Sequence, residues 1–347
     1  MKKIFDILLY MILHPFRVMK IVKLYFKLKG KYRFTIILAH IYKEVYYRKK
    51  NKEKKTFNIT SDIDTGKQVI INVQEGLFHT GGISDRLKGI CTLYMYSKKY
   101  HYIFKVHFIF PFKLEKYLLP NHYDWCIDEK NISYDLNSTA VYTWENELFV
   151  EDFFQSNRYK KQLHVSCNSW ECLPKYSELF NELFKPSPYL KEEIEFHTKN
   201  LGGSGNYISI SFRFQNLLGE FKEGESMSLN TENRKILINK CLLAINDLKQ
   251  QYDNIDKILI TSDSNVFRDI AEKKYSFVYT FTIAEETGHI DFAGVGKGKE
   301  MTAFLDMFLI SGAKKAYQIR SAEMYDSDFP NVSARIKKVP YEMILID

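Results

Sequence analysis

Apolar and polar positions along the first half of the chain follow the pattern of strands that alternate with helices. Residues 69–73 form a short apolar run typical of a buried strand, and a turn that contains glycine follows over residues 75–82. Apolar residues then recur at helical spacing: Leu87, Ile90, Cys91 and Tyr94. A second strand is predicted over residues 102–110. This half of the chain therefore predicts an α/β arrangement in which a strand, a glycine turn and a helix follow one another.

The alternation becomes more regular after the glycine-rich segment at residues 202–205. It predicts strands over residues 207–212, 257–261, 277–281 and 316–319, and helices around residues 237–248, 266–274 and 301–309. Strands and helices in alternation predict a parallel sheet covered by helices, with right-handed crossovers. We therefore expect two lobes, at residues 67–201 and 202–347, after an N-terminal extension and linker at residues 1–66.

The N-terminal extension is basic and partly apolar. Its first apolar residues lie at helical spacing: Ile4, Ile7, Leu8, Met11 and Ile12. Charged residues interrupt this stretch well before the roughly 18 consecutive apolar residues that a spanning helix requires, so we expect no transmembrane segment. Two interpretations remain open: the helix packs on the protein's own surface, or it lies on an anionic bilayer. Residues 48–55 are rich in lysine and are interpreted as an exposed linker.

Composition and charge narrow the classes of function. The chain has 50 Lys and Arg against 42 Asp and Glu, a net charge of +8, and the excess is largely N-terminal. Nucleic-acid binders interleave such charge with aromatic platforms, so nucleic acid is not an expected partner. The five cysteines lack paired spacing, which favours a reducing compartment. We expect a cytoplasmic protein, with the inner face of the cell membrane as the place of any peripheral contact.

Polar residues follow two of the predicted strands of the second lobe. Arg213 follows the first of these strands, and Ser262, Asp263 and Ser264 follow the second. Ligands of parallel α/β sheets bind outside the carboxyl ends of the strands. The planar guanidinium of Arg213 can bind a pyrophosphate in a bidentate manner, and Asp263 can accept hydrogen bonds from ribose hydroxyls or a base edge. The alternative role for Arg213 is an ordinary surface ion pair.

A glycine pair marks the corresponding turn of the first lobe. Gly81 and Gly82 stand between the predicted strand and helix, where backbone N–H groups can approach an anion closely. Asp85 lies in the first turn of that helix, where its alternative role is to interact with the helix dipole. The pair is therefore a candidate anion-binding turn.

Four segments occur in the order and approximate spacing of the fucosyltransferase superfamily, which includes alpha-1,6, nodulation, plant cell-wall and protein O-fucosyl enzymes. They are GGISDRLKGI (81–90), YISISFRFQN (207–216), ILITSDSNVF (258–267) and AFLDMFLISGAKKAYQI (303–319), and DSDFPNVSARI (326–336) follows the last. The chain resembles this superfamily over about residues 67–334. The resemblance implies a GT-B-like fold of two facing Rossmann-like lobes, with GDP-fucose on the C-terminal lobe and the acceptor mainly on the N-terminal lobe.

The resemblance also implies roles for individual residues. Arg213 matches the arginine of the superfamily's His-x-Arg motif and is expected to bind the donor pyrophosphate, while Ser211 replaces the histidine. Asn216 stands where the superfamily has an acidic residue. The other residues expected to bind the donor are Gly81, Gly82, Ser262, Asp263, Ser264, Asp306, Ser327 and Phe329.

These features predict an inverting glycosyltransferase that transfers fucose from GDP-fucose to a hydroxyl of a surface polysaccharide or a lipid-linked oligosaccharide. Inverting transfer needs stabilisation of the leaving phosphate, for which Arg213 is suited, and a base, for which Glu220 and Asp85 are candidates. The resemblance implies no metal, although residues 62–64 and 326–328 match a metal-binding Asp-x-Asp motif. Two alternatives stay open: another nucleotide sugar as the donor, and a nucleotide- or carbohydrate-binding protein without turnover.

Overall fold

The chain folds into two compact units, and each contains a parallel sheet with helices. The computed structural model describes residues 2–24, 33–56, 67–77, 81–144, 150–220, 228–282 and 298–346. The first unit comprises Met1–Gly81, Asp85–Phe110 and His122–Pro174, and the second comprises Gly82–Ser84, Pro111–Asn121 and Lys175–Asp347. The predicted α/β fold class is confirmed.

Helices and strands alternate along most of the described chain. The helices are α1 (Lys2–Leu13), α2 (Pro15–Leu24), α3 (Arg33–Thr56), α4 (Ile83–Tyr100), α5 (Val150–Ser156), α6 (Tyr176–Leu183), α7 (Pro188–Asn200), α8 (Thr231–Gln250), α9 (Asn265–Lys274), α10 (Lys299–Gly312) and α11 (Phe329–Arg335). The strands are β1 (Val69–Gln74), β2 (Ile103–Phe108), β3 (Leu118–Pro120), β4 (Thr139–Trp144), β5 (Gln162–Cys167), β6 (Phe184–Pro186), β7 (Tyr207–Phe212), β8 (Lys257–Ser262), β9 (Val278–Tyr279), β10 (Lys315–Arg320) and β11 (Tyr341–Leu345).

The sheet of the first unit has four parallel strands in the order β2-β1-β5-β4. Every residue of β1 is buried, and Val69, Ile71 and Val73 pack together in one apolar cluster. A central strand of a parallel sheet is buried on both faces, which explains the nearly continuous apolar run at this position. The strand predicted over residues 69–73 is therefore confirmed.

Helix α4 packs closely on the first sheet. Its residues Leu87, Ile90 and Cys91 are fully buried, as their helical spacing predicts. Gly89 lies on the same helix, and a Cβ atom built there would lie 1.7 Å from the carbonyl oxygen of Cys167, the last residue of β5. Only the hydrogen atom of glycine fits in this space. The close approach of α4 to β5 therefore depends on Gly89.

Helix α3 belongs to the first unit, and the linker predicted for residues 48–55 is wrong. Tyr47 of this helix is fully buried and packs with Tyr134 and Val141. Lys54 Nζ donates a hydrogen bond of 2.6 Å to the carbonyl oxygen of Ile132. The lysine-rich stretch is thus the last part of a helix whose other side is buried, and lysine is a favourable helix residue.

Helices α1 and α2 pack on α3 through a buried carboxylate. Glu44 of α3 accepts a hydrogen bond from the hydroxyl of Tyr10, and its Oε2 lies 2.6 Å from Arg17 Nε. The two N-terminal helices are therefore attached to the first unit by a hydrogen-bonded ion pair. Within the described ranges, no helix combines the length and the apolar character that a bilayer-spanning segment requires.

The second unit contains a five-stranded parallel sheet in the order β11-β10-β7-β8-β9. The central strand β7 is buried along its whole length, and its Ile208 and Ile210 pack with Leu237 of α8 and Phe267 of α9. The strands predicted in this part of the chain correspond to β7, β8, β9 and β10, of which β9 is shorter than predicted. Strands β3 and β6 form a separate antiparallel pair.

The longest segment of the second unit begins at Lys175, upstream of the glycine-rich segment at residues 202–205. That segment is a turn inside the unit, where the N–H of Gly205 donates to the carbonyl oxygen of Gly312 at 2.8 Å. Helices α6 and α7 therefore belong to the same compact unit as the second sheet. The division of the chain into an acceptor lobe and a donor lobe stays a prediction.

Substitution of Gly89 by alanine is expected to destabilise the fold. The added methyl group would overlap the backbone of β5, and overpacking of this kind costs about 1–3 kcal/mol or more of unfolding free energy. Gly82→Ala is the matched control, because a Cβ atom at Gly82 has no atom within 4 Å, and its cost is expected to stay below about 1 kcal/mol. Urea denaturation of the two variants measures the difference. Equal stability of Gly89→Ala and the wild type would contradict the close approach of α4 to β5.

Candidate functional site

Arg213 lies directly after β7, at the carboxyl edge of the second sheet. Its Nη1 is 3.2 Å from Oδ2 of Asp263, which directly follows β8, the strand that pairs with β7. The side chain of Arg213 is 28% exposed, whereas that of Asp263 is 5% exposed. The guanidinium therefore remains accessible while its acidic partner is buried.

The Asp263 carboxylate also fixes the turn that follows Arg213. Its Oδ1 accepts the N–H of Phe214 and its Oδ2 accepts the N–H of Gln215, both at 2.8 Å. Gln215 has a φ of 50°, a left-handed conformation that is uncommon for a residue other than glycine. Burial raises the pKa of Asp263, and the charge of Arg213 and the two N–H groups oppose that shift. Asp263 therefore positions Arg213 and its turn.

Ser211, which replaces the histidine of the expected motif, is buried within the second sheet. Its hydroxyl is 2.7 Å from the hydroxyl of Thr261 on the neighbouring strand β8. Both side chains are at least nine-tenths buried. Ser211 therefore connects two strands.

Glu220 and the serines that flank Asp263 meet at the first turn of α9. Ser264 is the N-cap of this helix: its Oγ accepts the N–H of Phe267 at 3.1 Å and donates to Oε2 of Glu220. Oε1 of Glu220 accepts the N–H of Val266 at 3.1 Å, and Oγ of Ser262 accepts the N–H of Ser264 at 3.1 Å. A carboxylate at a helix N-terminus is stabilised by the helix dipole. Both oxygens of Glu220 are thus engaged by α9.

Asp306 lies on α10, is buried, and forms an ion pair with Arg268. Arg268 Nη2 is 3.1 Å from Asp306 Oδ2, and Arg268 Nε donates to the carbonyl oxygen of Ser262 at 2.9 Å. Burial raises the pKa of Asp306 to about 6, and Arg268 opposes the shift. Asp306 and Arg268 therefore support the end of β8 from inside the unit.

The segment before α11 runs beside the end of β7. The N–H of Tyr325 donates to the carbonyl oxygen of Arg213 at 3.3 Å. Ser327 Oγ accepts the N–H of Phe329, the first residue of α11, at 3.4 Å, and Phe329 packs on an apolar cluster that includes Ile310. Ser327 and Phe329 are therefore part of an ordered segment next to Arg213.

Arg320 is a further cationic residue at the same sheet edge, and no motif in the sequence indicates it. It ends β10, the strand that pairs with β7 on the side opposite β8, and its Nη1 is 2.8 Å from Oδ2 of Asp326. Its side chain is 23% exposed. Arg320 could have been found in the same way as Arg213, because it is also a basic residue at the end of a predicted strand.

The glycine turn before α4 is held by a buried arginine. Gly81 has a φ of 75°, and its carbonyl oxygen accepts a hydrogen bond of 3.1 Å from Arg86 Nε. A Cβ atom at Gly81 would lie 2.9 Å from Oδ2 of Asp85, whereas Gly82 is open. The carboxylate of Asp85 is 41% exposed and lies 3.0 Å from the buried ammonium of Lys88. The backbone conformation and the close contact with Asp85 therefore require a glycine at position 81. Asp85 itself forms an ion pair at the start of α4.

Three further ionisable side chains lie near the carboxyl end of the first sheet, and no motif in the sequence indicates them. Glu75 directly follows β1, His107 lies near the end of β2, and Lys43 comes from α3. All three side chains are buried, and His107 Nε2 is 3.4 Å from Glu75 Oε1. They are far apart in the sequence, so no local motif brings them together.

The described part of the chain contains no group of three or more His, Cys, Asp and Glu side chains placed to hold a metal ion. Of the two Asp-x-Asp matches, residues 62–64 lie outside the described residues. In the other match, Asp326 pairs with Arg320, and Asp328 Oδ1 accepts a hydrogen bond of 3.1 Å from Asn331. The carboxylates of the second match therefore contact neighbouring side chains.

Several solved structures share the fold of this chain. FUT1 from Arabidopsis thaliana, a mutant in complex with GDP, matches with a TM-score of 0.54 and 10% sequence identity over 88% of this chain and 78% of that one. The alpha-1,6-fucosyltransferase NodZ, soaked with GDP-fucose, matches with a TM-score of 0.50 and 12% identity over 78% of this chain and 92% of that one. A further structure of NodZ, from Bradyrhizobium, has the same score and identity over 77% and 93% of the two chains. No protein-family model and no curated protein matches the sequence. The chain therefore has the GT-B-like fold of known fucosyltransferases, as the resemblance of its motifs implies.

Proposed function

We propose that the chain is an inverting glycosyltransferase that transfers fucose from GDP-fucose to a hydroxyl of a glycan. The observation that carries this proposal is the guanidinium of Arg213, which is partly exposed at the carboxyl end of β7 and held by buried Asp263. A guanidinium fixed in this way can bind two phosphate oxygens at once. The same fold occurs in FUT1 bound to GDP and in NodZ soaked with GDP-fucose, which supports a GDP-sugar as the donor.

The nucleotide-binding part of the proposal rests on the carboxyl edge of the second sheet. Arg213 directly follows β7 and Arg320 ends the neighbouring strand β10, so their positive charges can stabilise the phosphate charge that grows as GDP leaves. Ser262 and Ser264 flank Asp263, and Ser327 and Phe329 belong to the segment before α11; all four stay candidates for contact with the nucleotide. Asp263 and Asp306 are buried and hold arginines, so we propose that they position the site.

We propose that transfer requires no metal and that one carboxylate accepts the proton of the acceptor hydroxyl. Glu220 is engaged at the N-terminus of α9, which favours a role in shaping the donor site. Asp85 is partly exposed and paired with Lys88, which favours a role at the glycine turn. Gly81 and Gly82 remain candidates for contact with an anion. The acceptor is proposed to be a surface polysaccharide or a lipid-linked oligosaccharide.

Incubation of the full chain with a panel of GDP-, UDP- and CMP-sugars tests the proposal directly. We expect GDP to be released from GDP-fucose, and release to continue unchanged in EDTA, because arginines supply the positive charge. Release of UDP or CMP alone would reject the GDP-sugar donor, and binding of GDP-fucose without release would favour a binding protein. A rate that collapses in EDTA and returns with Mn²⁺ would contradict the metal-independent mechanism.

Arg213→Lys is expected to lower GDP release by about 10²-fold or more, because lysine cannot form the bidentate contact with phosphate oxygens. Arg335→Lys is the matched control: Arg335 is exposed on α11 of the same unit, where its Nε donates to Asn331 Oδ1 at 3.2 Å. Steady-state rates and thermal unfolding of both variants separate catalysis from folding. Wild-type turnover in Arg213→Lys would remove Arg213 from the donor site.

We also propose that α1 and α2 bind peripherally to an anionic membrane. Large apolar side chains of these helices are exposed to solvent: Ile4, Phe5, Leu8, Leu9, Ile12, Leu13, Phe16 and Met19. Ile12 is 75% exposed and Phe16 is 78% exposed. In residues 2–24, Asp6 is the single acidic residue among several lysines and Arg17. An apolar helix face flanked by cations is typical of interfacial helices, and such attachment would bring the enzyme to a lipid-linked acceptor.

The variant Ile12→Gln with Phe16→Gln is expected to weaken vesicle binding by tenfold or more, because each large apolar side chain contributes about 1.5–3 kcal/mol when fully buried. Leu243→Gln, at a site 60% exposed on α8, is the control and should leave binding unchanged. Sedimentation with phosphatidylglycerol vesicles at low and high salt measures the apolar and the electrostatic contributions to binding. Salt screens the attraction of the lysines and leaves the apolar contribution. Point variants are preferred to removal of the whole extension, because α3 is part of the first unit. Equal sedimentation of wild type and double variant would reject membrane contact.

A further inference from the structure

The loop between β10 and α11, residues 321–328, is fixed against the carboxyl edge of the second sheet. Met324 is 4% exposed and packs in the apolar core of the unit. Asp326 Oδ2 lies 2.8 Å from Nη1 of Arg320, the last residue of β10. The loop is therefore attached on both sides of the residue that stands between these two contacts, Tyr325.

Tyr325 is held next to Arg213 through its backbone and is exposed through its side chain. Its N–H donates to the carbonyl oxygen of Arg213 at 3.3 Å. Tyr325 is 52% exposed, although the residue before it is buried. The aromatic ring and the guanidinium of Arg213 therefore extend from hydrogen-bonded backbone at the edge of the sheet where ligands of parallel α/β sheets bind.

A ligand that fits these two side chains carries an anionic group and a planar group. A guanidinium binds phosphate oxygens, and an aromatic ring offers a face on which a nucleobase stacks. A nucleoside diphosphate contains both groups in one molecule. A single exposed aromatic residue is ordinary at a protein surface. Tyr325 differs because its backbone is hydrogen-bonded to the residue that is proposed to bind the phosphates.

We propose that Tyr325 stacks on the guanine base of the donor nucleotide while Arg213 binds the pyrophosphate; this inference rests on the proposed function. The loop between β10 and α11 then recognises the nucleoside, and the ends of β7 and β10 recognise the phosphates. Stacking uses the face of the base rather than its hydrogen-bonding edge, so Tyr325 supplies affinity for the nucleotide without selecting among bases. The phenolic hydroxyl has no part in this contact.

Calorimetric titration of the full chain with GDP tests the stacking contact. Tyr325→Ala is expected to raise the dissociation constant of GDP by about 5- to 150-fold, the usual contribution of a base stacked on an aromatic side chain. Tyr325→Phe keeps the ring, so its dissociation constant should stay within about twofold of the wild type. Tyr189→Ala is the matched control, because Tyr189 is 53% exposed on α7 of the same unit. Its loss should leave GDP binding unchanged.

Inorganic pyrophosphate separates stacking from an indirect effect of the loop on Arg213. Pyrophosphate has no base, so its inhibition constant in competition with GDP is expected to be the same for Tyr325→Ala and the wild type. Arg213→Lys should weaken the binding of both ligands, because lysine cannot form the bidentate contact. If Tyr325→Ala weakens pyrophosphate and GDP by the same factor, the loop only positions Arg213, and the stacking contact is overturned.

The remaining outcomes distinguish failure of this inference from failure of the proposed function. An unchanged dissociation constant of GDP in Tyr325→Ala would overturn the stacking contact alone, and so would a Tyr325→Phe variant that binds GDP as weakly as Tyr325→Ala. In both cases the wild type would still bind the nucleotide. Absence of GDP binding and of GDP release from GDP-fucose in the wild type would overturn both this inference and the proposed function.

Discussion

The buried carboxylate of Asp263 is the interaction on which the carboxyl edge of the second sheet depends. One side chain accepts two consecutive backbone N–H groups of the turn after β7 and pairs with the guanidinium of Arg213. Without that carboxylate, two partly buried donors would lose their partner, and Gln215 would lose a contact that holds its left-handed conformation. The exposed end of Arg213 is thus pre-positioned before any ligand arrives. Preorganised positive charge of this kind is what stabilises a leaving phosphate.

The first unit uses a comparable constraint, in which buried polar side chains connect a helix to a sheet. Helix α3 contributes Tyr47 to an apolar cluster, and the hydroxyl of Tyr47 is 2.6 Å from Nδ1 of the buried His164 of β5. Lys43, one turn earlier, reaches Ser166 on the same strand. The N-terminal part of the chain is therefore a structural component of this unit, and it brings a cation to the carboxyl end of the sheet.

Much of the fold could be predicted because buried parallel strands and amphipathic helices have distinct periodicities. The local pattern of apolar residues predicts strand β7 and the buried face of α4 that contains Leu87 and Ile90. The rule that parallel strands end at one edge of a sheet predicts that Arg213 lies near Asp263. The extent of α3 was not predictable in this way, because a helix with many lysines on its exposed side has the composition of a linker. Glu75, His107 and Lys43 were missed for a different reason. Their proximity arises from the packing of α3 and the order of the strands, neither of which is encoded in local spacing.

Calorimetric titration of the full chain with GDP and with GMP tests the central claim most directly, because the two ligands differ by the β-phosphate that the arginines of the second sheet are proposed to bind. GDP is expected to bind at least about tenfold more tightly than GMP, a difference of roughly 1.4 kcal/mol in binding free energy. Equal affinities for the two nucleotides, or no binding of GDP, would contradict it.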